Sequence, residues 1–443
     1  MGLHLDTTNS HNRLEKVSNK NYESDVNHSL LYTRWFFTFL GIWPYITPEP
    51  TRLERIVSII MMPFCCIIMV LVPIPSVAHI TMREVDRMEI VMLMGPLGFY
   101  ATNIVKYFIL MFRLNTIKLC IQHMKSDWRR LEDENDREIM MNNLRVGHGL
   151  TVVFTVFMQS GGLFFHAVMP LCTGSVINEL NKTVRPLAYP GTDIFFDSQA
   201  SFVYEIVFCG ICVCAFFHYT FVAATFNLIS IFVTHTCGQI EILLTKLSGL
   251  LKTRAEENSV SSVSDRLNLI IRWHVRVLRF LSWIDEALCE ICLMEVVSAT
   301  LSICLLEYYC MMEWSKGVGV AIITYILILL SLALNIFIYC HVGELIKDKC
   351  YQVGKAAYMI EWYKLPGKTE ATIIMIIAMA YYPRKLTAGG MIELSITTFG
   401  SVRTFMSQNK LKKSIKMTKS FLDYQDYFRI PKHVTKRDVI SNL

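Results

Sequence analysis

Seven apolar segments, each about long enough to cross a lipid bilayer, constrain this chain more than any other feature. The hydrocarbon core of a bilayer is about 30 Å thick and needs roughly 20 apolar residues per helical crossing. Of the 443 residues, 53% are apolar, and the mean hydropathy is +0.38. The candidate crossings are 56–78, 88–112, 149–171, 202–233, 287–311, 317–340 and 371–406. The sequence therefore predicts an all-α membrane protein with seven transmembrane helices in one domain.

The seventh segment is interrupted. An apolar run ends near Ala380, Pro383 and Gly389 follow, and a second apolar run begins at Leu394. Proline has no backbone N–H and clashes with the preceding turn, so one helix should end there and another begin. A helix broken at membrane depth is tolerated only where protein or water covers the freed backbone. We expect a split seventh helix beside a cavity or pore.

Charge predicts the orientation. Alternate connecting segments carry 24 Lys and Arg residues on one side and 5 on the other. The basic side is cytosolic by the positive-inside rule, which places the N-terminus inside. Asn181, in the sequon Asn181-Lys-Thr183, then lies outside and is a candidate glycosylation site. The basic segment 407–443, with nine Lys or Arg and three Asp, opposes this count, because seven crossings place it outside.

The chemistry-bearing residues indicate no enzyme. Serine-hydrolase, zinc-protease and phosphate-loop motifs are absent. His218 and His235 have no partners at metal-ligand spacing, so we expect packing roles, no metal and no cofactor. Glu295 lies deep in the fifth crossing, where a carboxylate is costly and marks a candidate functional group. The net charge of +6 sits in loops between crossings, which is typical of membrane topology and not of nucleic-acid binding.

The closing stretch carries a family resemblance. It contains Gly343-Glu344, Ala357-Tyr358 and Trp362, then Pro383, Leu386-Thr-Ala-Gly389, Leu394-Ser395 and Thr398-Phe399. Together with Gly41-Ile-Trp-Pro44 and Asp127-Trp128, in this order, these residues make the chain resemble the insect odorant receptors, specifically their ligand-tuning subunits. The resemblance spans about residues 34–406.

The resemblance implies a heterotetrameric cation channel. In that family a tuning subunit assembles with a shared co-receptor subunit in the lipid bilayer, and volatile odorants gate the pore directly. It implies a cytosolic arm at 1–33, a receptor domain at 34–406, an anchor at about 234–285 and 341–382, and a pore half-helix at 386–406. The expected location is the plasma membrane, in the dendrites of olfactory sensory neurons.

Carried onto this chain, the resemblance gives candidate site residues. The positions that match the outer half of the helix bundle are expected to bind odorant: Met92, Met158, Phe164, Phe165, Tyr204, Phe208, Leu305, Tyr308 and Ile322. The second half of the split helix is expected to line the pore: Glu393, Ser395, Thr398, Phe399 and Val402.

The C-terminal segment departs from the family pattern. Members continue the last helix as an apolar gate, whereas here Arg403 and a lysine cluster at 410–413 occupy that place. We expect an altered or defective pore end. A gustatory receptor-type channel stays open as an alternative. A G-protein-coupled receptor predicts the opposite orientation and motifs that are absent, and a transporter predicts internal repeats with paired broken helices.

Overall fold

Long helices form most of the chain in this computed structural model. It describes residues 19–83, 85, 87–177, 183–195, 197–250, 260–316, 319–360, 369–381, 385–401 and 404. The helices are α1 (Tyr22–Ser29), α2 (Leu31–Phe39), α3 (Trp43–Ile46), α4 (Arg52–Leu71), α5 (Pro73–Met82), α6 (Arg87–Phe112), α7 (Leu114–Arg130), α8 (Glu134–Leu163), α9 (Met169–Thr173), α10 (Ser201–Gly249), α11 (Val260–Lys316), α12 (Gly319–Met359) and α13 (Thr369–Tyr381). Two short antiparallel strand pairs complete the fold: β1 (Val176–Ile177) with β2 (Thr183–Val184), and β3 (Thr387–Ala388) with β4 (Ile392–Glu393).

Five helical stretches in the described part of the chain are long and apolar enough to cross a membrane. They are Arg52–Met82, Glu134–Thr173, Phe202–Gly249, Val263–Met311 and Ile322–Met359. These coincide with five predicted crossings and confirm a helical membrane fold. The second predicted crossing is the 26-residue helix α6, and the seventh begins with the 13-residue helix α13. The total of seven, and the orientation, stay predictions.

The first spanning helix begins at a capping box. The side-chain oxygen of Thr51 accepts a hydrogen bond from the backbone N–H of Glu54 at 3.2 Å, and the Glu54 carboxylate accepts one from the Thr51 N–H at 2.8 Å. These two bonds satisfy backbone donors that the first turn of a helix leaves unpaired. The sequence Thr-x-x-Glu therefore determines where α4 starts.

Helix α10 forms the centre of the bundle, and its middle portion is buried on all sides. It packs against α8 at small residues. A Cβ on Gly147 would lie 2.4 Å from Thr234 Oγ1, and one on Gly238 would lie 2.6 Å from Met140 Sδ. Lipid tails are as apolar as the helices, so close backbone approach and the dispersion contacts it permits hold such helices together.

A buried ionic cluster joins α7, α10 and α11 on the predicted cytosolic side. Asp127 Oδ1 accepts a hydrogen bond from Arg276 Nε at 2.6 Å, and its Oδ2 lies 3.1 Å from His235 Nε2 and from His123 Nδ1. Burial raises the pKa of the Asp127 carboxyl, but the hydrogen bonds and charges of the two histidines outweigh it and hold that pKa well below its ordinary value. Asp127 is thus a fixed anion that ties three helices together.

The seventh segment is split, as predicted. Helix α13 ends at Tyr381, the β3–β4 pair follows, and helix resumes at 396–401. The second half therefore begins at residue 396 instead of 386. Gly389 and Gly390 form the tight turn between the strands with φ of +64° and +70°, where other residues are strained. The chain divides into two compact units, residues 1–395 and 396–443.

Several sequence-based predictions fall outside the described residues. They are Asn181, Val402, Pro383, Arg403, most of the arm at 1–33, residues 251–259, 361–368 and 382 of the anchor, and the segment 407–443.

Candidate functional site

An apolar cavity of about 330 Å³ lies between α6, α8, α10, α11 and α12. The segment Pro186–Tyr189, which precedes α10, forms part of its wall. The lining residues are Met92, Leu93, Gly95, Pro96, Phe99, Met158, Gly161, Gly162, Phe165, Met169, Pro170, Thr173, Pro186, Leu187, Ala188, Tyr189, Tyr219, Ser302, Leu306, Tyr309, Tyr325, Ile328, Ser331 and Leu332. A concave site with aromatic and Met walls and few polar groups is typical of a small-molecule pocket.

Glycines and a π-helical turn shape the α8 side of the cavity. A Cβ on Gly162 would lie 2.3 Å from Tyr219 Cε2, so only glycine lets the Tyr219 ring pack there. The next turn, Phe164–Val168, is π-helical. A single wide turn of this kind shifts the side chains that follow it around the helix, and such turns are frequent at functional sites. Here Phe165 lines the cavity and Phe164 is 37% exposed.

A buried histidine anchors two tyrosines behind this wall. His166 Nδ1 lies 2.8 Å from the Gly162 carbonyl oxygen, which can only accept, so Nδ1 carries the hydrogen. His166 Nε2 therefore accepts hydrogen bonds from Tyr189 Oη at 2.9 Å and Tyr100 Oη at 3.2 Å. These bonds satisfy polar groups in an apolar region and hold the Tyr189 ring in place as a wall of the cavity.

The hydroxyl groups on the wall differ in their availability. Tyr309 Oη donates to the Val91 carbonyl, and Ser331 Oγ donates to the Leu327 carbonyl at 3.0 Å. Tyr219 Oη and Ser302 Oγ make no hydrogen bond within the described part of the chain. Those two groups are available to a guest that carries a hydrogen-bond acceptor.

The structure brings three of the nine expected odorant-contacting residues to the cavity: Met92, Met158 and Phe165. The other six are not among its lining residues: Phe164, Tyr204, Phe208, Leu305, Tyr308 and Ile322.

Two local reasons account for several of these six. On α11 the lining positions are Ser302, Leu306 and Tyr309, and the last two lie one residue after the expected Leu305 and Tyr308. Tyr204 stacks on Phe208 with ring centroids 6.1 Å apart and donates to the Pro186 carbonyl at 2.9 Å.

A buried polar cluster lies one to two helical turns from the cavity. Lys106 Nζ contacts Glu295 Oε2 at 2.5 Å, and the side chains are only 1% and 6% exposed. Asn335 Nδ2 donates to Glu295 Oε1 at 2.7 Å and lies 3.7 Å from the sulfur of Met158, which lines the cavity. The cluster connects α6, α11 and α12 directly beneath the pocket. Sequence reasoning selected Glu295 but missed Lys106, its partner 189 positions away.

The β3–β4 hairpin docks onto α11 and α12. The backbone N–H and the hydroxyl of Thr387 both donate to Asp285 Oδ1 at 2.9 Å, and the Gly389 N–H donates to the Cys289 carbonyl at 2.8 Å. A Cβ on Gly343 would lie 2.1 Å from the Leu394 carbonyl oxygen. Gly343 and Gly389, both part of the resemblance, are therefore glycines because the hairpin packs so closely.

The expected pore residues lie in two places. Glu393 is in β4 and pairs with Lys385 at 2.6 Å, and Ser395 is buried just after the hairpin. Thr398 and Phe399 lie in the helical residues 396–401 of the second unit. Because Glu393 holds a lysine, its charge is partly neutralised within the chain itself.

Comparison with known proteins decides the family. The family model described as 7tm Odorant receptor matches residues 87–406, which is most of the chain. The chain belongs to this odorant receptor family. This odorant receptor chain carries the part of its closing stretch between Leu386 and Leu394 on the docked hairpin.

Known odorant receptors share limited sequence identity with this family member. It is 24% identical to Odorant receptor 10 of Aedes albopictus over 276 residues, or 60% of this chain and 64% of that receptor. It is 22% identical to Odorant receptor 13a of Drosophila melanogaster over 57% of this chain and 63% of that one. The matched stretches thus span less than two thirds of these relatives.

Solved structures share the fold. The insect olfactory receptor OR5 of Machilis hrabei in complex with eugenol matches with a TM-score of 0.69 at 13% identity, covering 88% of this chain and 97% of that one. The structure of the same receptor described without a ligand matches with a TM-score of 0.67. This odorant receptor chain therefore has the insect olfactory receptor fold.

Proposed function

We propose that this chain is the odorant-binding subunit of a ligand-gated cation channel that works with a co-receptor subunit in the plasma membrane. The single observation that supports it most is the apolar cavity of about 330 Å³ enclosed by five helices of an olfactory receptor fold. That volume lies at the lower end of the range for small-molecule pockets, about 300–1,000 Å³. It suits a volatile compound.

The pocket chemistry indicates the class of odorant. Aromatic rings and methionines supply dispersion contacts to an apolar body, and the Tyr219 and Ser302 hydroxyls can each donate one hydrogen bond. A small odorant with an apolar ring or chain and one carbonyl, ether or hydroxyl oxygen fits both features. A charged ligand does not, because nothing at the wall of the cavity compensates for its loss of hydration.

Gating needs only a difference in affinity between the closed and open states. The odorant contacts Met158, whose sulfur touches Asn335, and Asn335 holds Glu295. A shift of a helix at the pocket is therefore passed to the Lys106–Glu295 pair through direct side-chain contacts, with no loop between them. We expect this route to transmit odorant binding toward the hairpin on α11.

A cavity-filling substitution tests the pocket. Ser302→Phe places a ring in the cavity, whereas Leu301→Phe places the same ring at a neighbouring side chain that is 59% exposed and does not line it. Each variant is co-expressed with the co-receptor, surface amounts are matched, and odorant-evoked currents are recorded over a panel. We expect Ser302→Phe to abolish responses to the larger odorants and Leu301→Phe to keep them. Equal responses from both variants contradict the pocket assignment.

The basic C-terminal segment bears on the pore. We propose that Arg403 and the lysines at 410–413 reduce cation conduction. Neutralising them to glutamine, in the same co-expression, should raise the current at saturating odorant without changing the half-maximal concentration. An unchanged current removes this segment from the pore.

A further inference from the structure

A second recess, distinct from the odorant cavity, opens on the predicted cytosolic side. It has a volume of about 250 Å³ and lies between α7, the start of α1 and the loop before α4. We call it the basic recess; its lining residues are Tyr22, Pro48, Glu49, Gln122, Lys125, Ser126 and Arg129. Glu49 is only three residues before α4, the first spanning helix, so the recess opens near the level where the chain enters the membrane.

Two cations share one side of the recess. Lys125 and Arg129 are four residues apart on α7, so their side chains lie on the same helical face. Like charges at this spacing destabilise a helix unless an opposite charge lies between them. Glu49 is the one acid among the lining residues, and it is exposed at the rim. The recess therefore carries a net positive charge.

The donors of these two cations are incompletely used. Arg129 Nη2 donates to Tyr22 Oη at 3.2 Å, and its guanidinium carbon lies 4.8 Å from the centre of the Tyr22 ring. Arg129 Nε is buried and makes no hydrogen bond to any described residue. Lys125 is half-buried, and within the described ranges no carboxylate lies within 4.0 Å of it. Burial lowers the pKa of Lys125, Glu49 opposes this effect, and Arg129 adds to it.

Two cations nearby on the same side have acidic partners. Arg137 pairs with Asp25 at 2.8 Å, and Lys246 pairs with Asp136 at 2.7 Å. A buried donor without an acceptor is unfavourable, so it needs an explanation such as a bound ligand. Lys125 and Arg129 differ from these neighbours because they face an open recess instead of a carboxylate.

We propose that the basic recess binds a phosphorylated polyol, presented either as a phosphoinositide headgroup of the cytosolic leaflet or as a free inositol phosphate. The Lys125 ammonium and the Arg129 guanidinium donate to phosphate oxygens. Glu49 accepts from a hydroxyl of the polyol, which explains an acid at the rim of a cationic site. Inorganic phosphate lacks the ring of hydroxyl groups of a polyol, and the Glu49 carboxylate repels its negative charge.

The test uses the full-length chain in phosphatidylcholine nanodiscs. The probes are phosphatidylinositol bisphosphate, phosphatidylserine at matched charge, soluble inositol trisphosphate and inorganic phosphate. Binding is read by native mass spectrometry and by the shift in thermal unfolding. Lys125→Gln should weaken phosphoinositide binding about 10- to 100-fold. Lys118→Gln, a half-buried cation on the same helix outside the recess, should leave it unchanged.

The outcomes separate the sources and decide the proposal. Binding of the lipid alone identifies a membrane headgroup, and equal binding of soluble inositol trisphosphate identifies a free metabolite. Either result supports the site if Lys125→Gln weakens that binding about 10- to 100-fold. Glu49→Gln should reduce the preference for polyol phosphate over inorganic phosphate. The proposal is overturned if Lys125→Gln and Lys118→Gln weaken phosphoinositide binding equally. It is also overturned if the chain binds phosphatidylinositol bisphosphate no more tightly than phosphatidylserine. Thermal unfolding of each variant without ligand is the control for a retained fold. None of these measurements depends on channel activity.

Discussion

Removing one member of the Lys106–Glu295 pair should destabilise the chain more than removing any exposed ion pair. The two side chains are 1% and 6% exposed, so either one left alone is an uncompensated buried charge. Breaking such a pair costs about 3–5 kcal/mol. Lys106→Met leaves Glu295 with only the Asn335 amide at 2.7 Å as a donor. Glu295→Gln leaves the Lys106 ammonium facing a neutral amide.

The double variant Lys106→Met/Glu295→Gln should recover most of this loss. Neither charge remains, and the side-chain amide oxygen that replaces the carboxylate still accepts from Asn335. The remaining cost is that of one imperfect hydrogen bond, about 1 kcal/mol. The double variant should therefore be about 2–4 kcal/mol more stable than either single variant, so the two single costs do not add.

The assay is thermal unfolding of the purified chain in detergent, with surface expression in cells as a second readout. Glu290→Gln is the matched control. Glu290 lies on α11, as Glu295 does, and its partner Arg113 directly follows α6, the helix of Lys106. The Arg113 and Glu290 side chains are 30% and 44% exposed. Exposed pairs contribute about 0–1 kcal/mol. If Lys106→Met lowers the unfolding midpoint no more than Glu290→Gln, or if the double variant is as unstable as the sum of the two, the buried-pair argument is refuted.

Three further predictions concern the pocket, the hairpin and a buried histidine. Tyr219→Phe should raise the half-maximal concentration of oxygen-bearing odorants about 2- to 10-fold and leave hydrocarbon odorants unchanged, as dose–response recordings can show. Gly343→Ala should lower the unfolding midpoint and the maximal current, because its Cβ would lie 2.1 Å from the Leu394 carbonyl oxygen; Gly210→Ala, with open space at the Cβ, is the control. Burial lowers the pKa of His123, so the unfolded chain takes up its proton first, and stability should fall as pH drops below about 6.5. His123→Gln should reduce the difference in unfolding midpoint between about pH 7.5 and about pH 5.5.

The sequence was sufficient for the parts of the fold that depend on local composition. Apolar runs of about 20 residues predicted the spanning helices. The proline and paired glycines after α13 predicted the break in the seventh segment. Neither requires knowledge of distant contacts. The extent of the hairpin was not predictable, because it depends on Asp285 and Cys289, which are remote from it along the chain.

The candidate site was only partly predictable, because a helix apolar on every face has no pattern that shows which side meets a ligand. On α11 the expected Leu305 and Tyr308 differ from the lining Leu306 and Tyr309 by one position, or about 100° of rotation. The π-helical turn that follows α8 rotates the next side chains further around the helix, and no residue pattern predicts this rotation. Lys106 was missed for a related reason, since a lone lysine in an apolar run does not reveal its partner.

Helices α10 and α11, with 49 and 57 residues, have a consequence for how force travels through the molecule. At 1.5 Å per residue they extend roughly 74 and 86 Å, more than twice the ~30 Å thickness of the hydrocarbon core. A helix of this length that pivots within the bilayer would act as a lever. A tilt of ~5° displaces a point ~50 Å along such a rod by ~4 Å. A small ligand that shifts such a helix only slightly at the pocket can thus produce ångström-scale displacements at the opposite end of the helix.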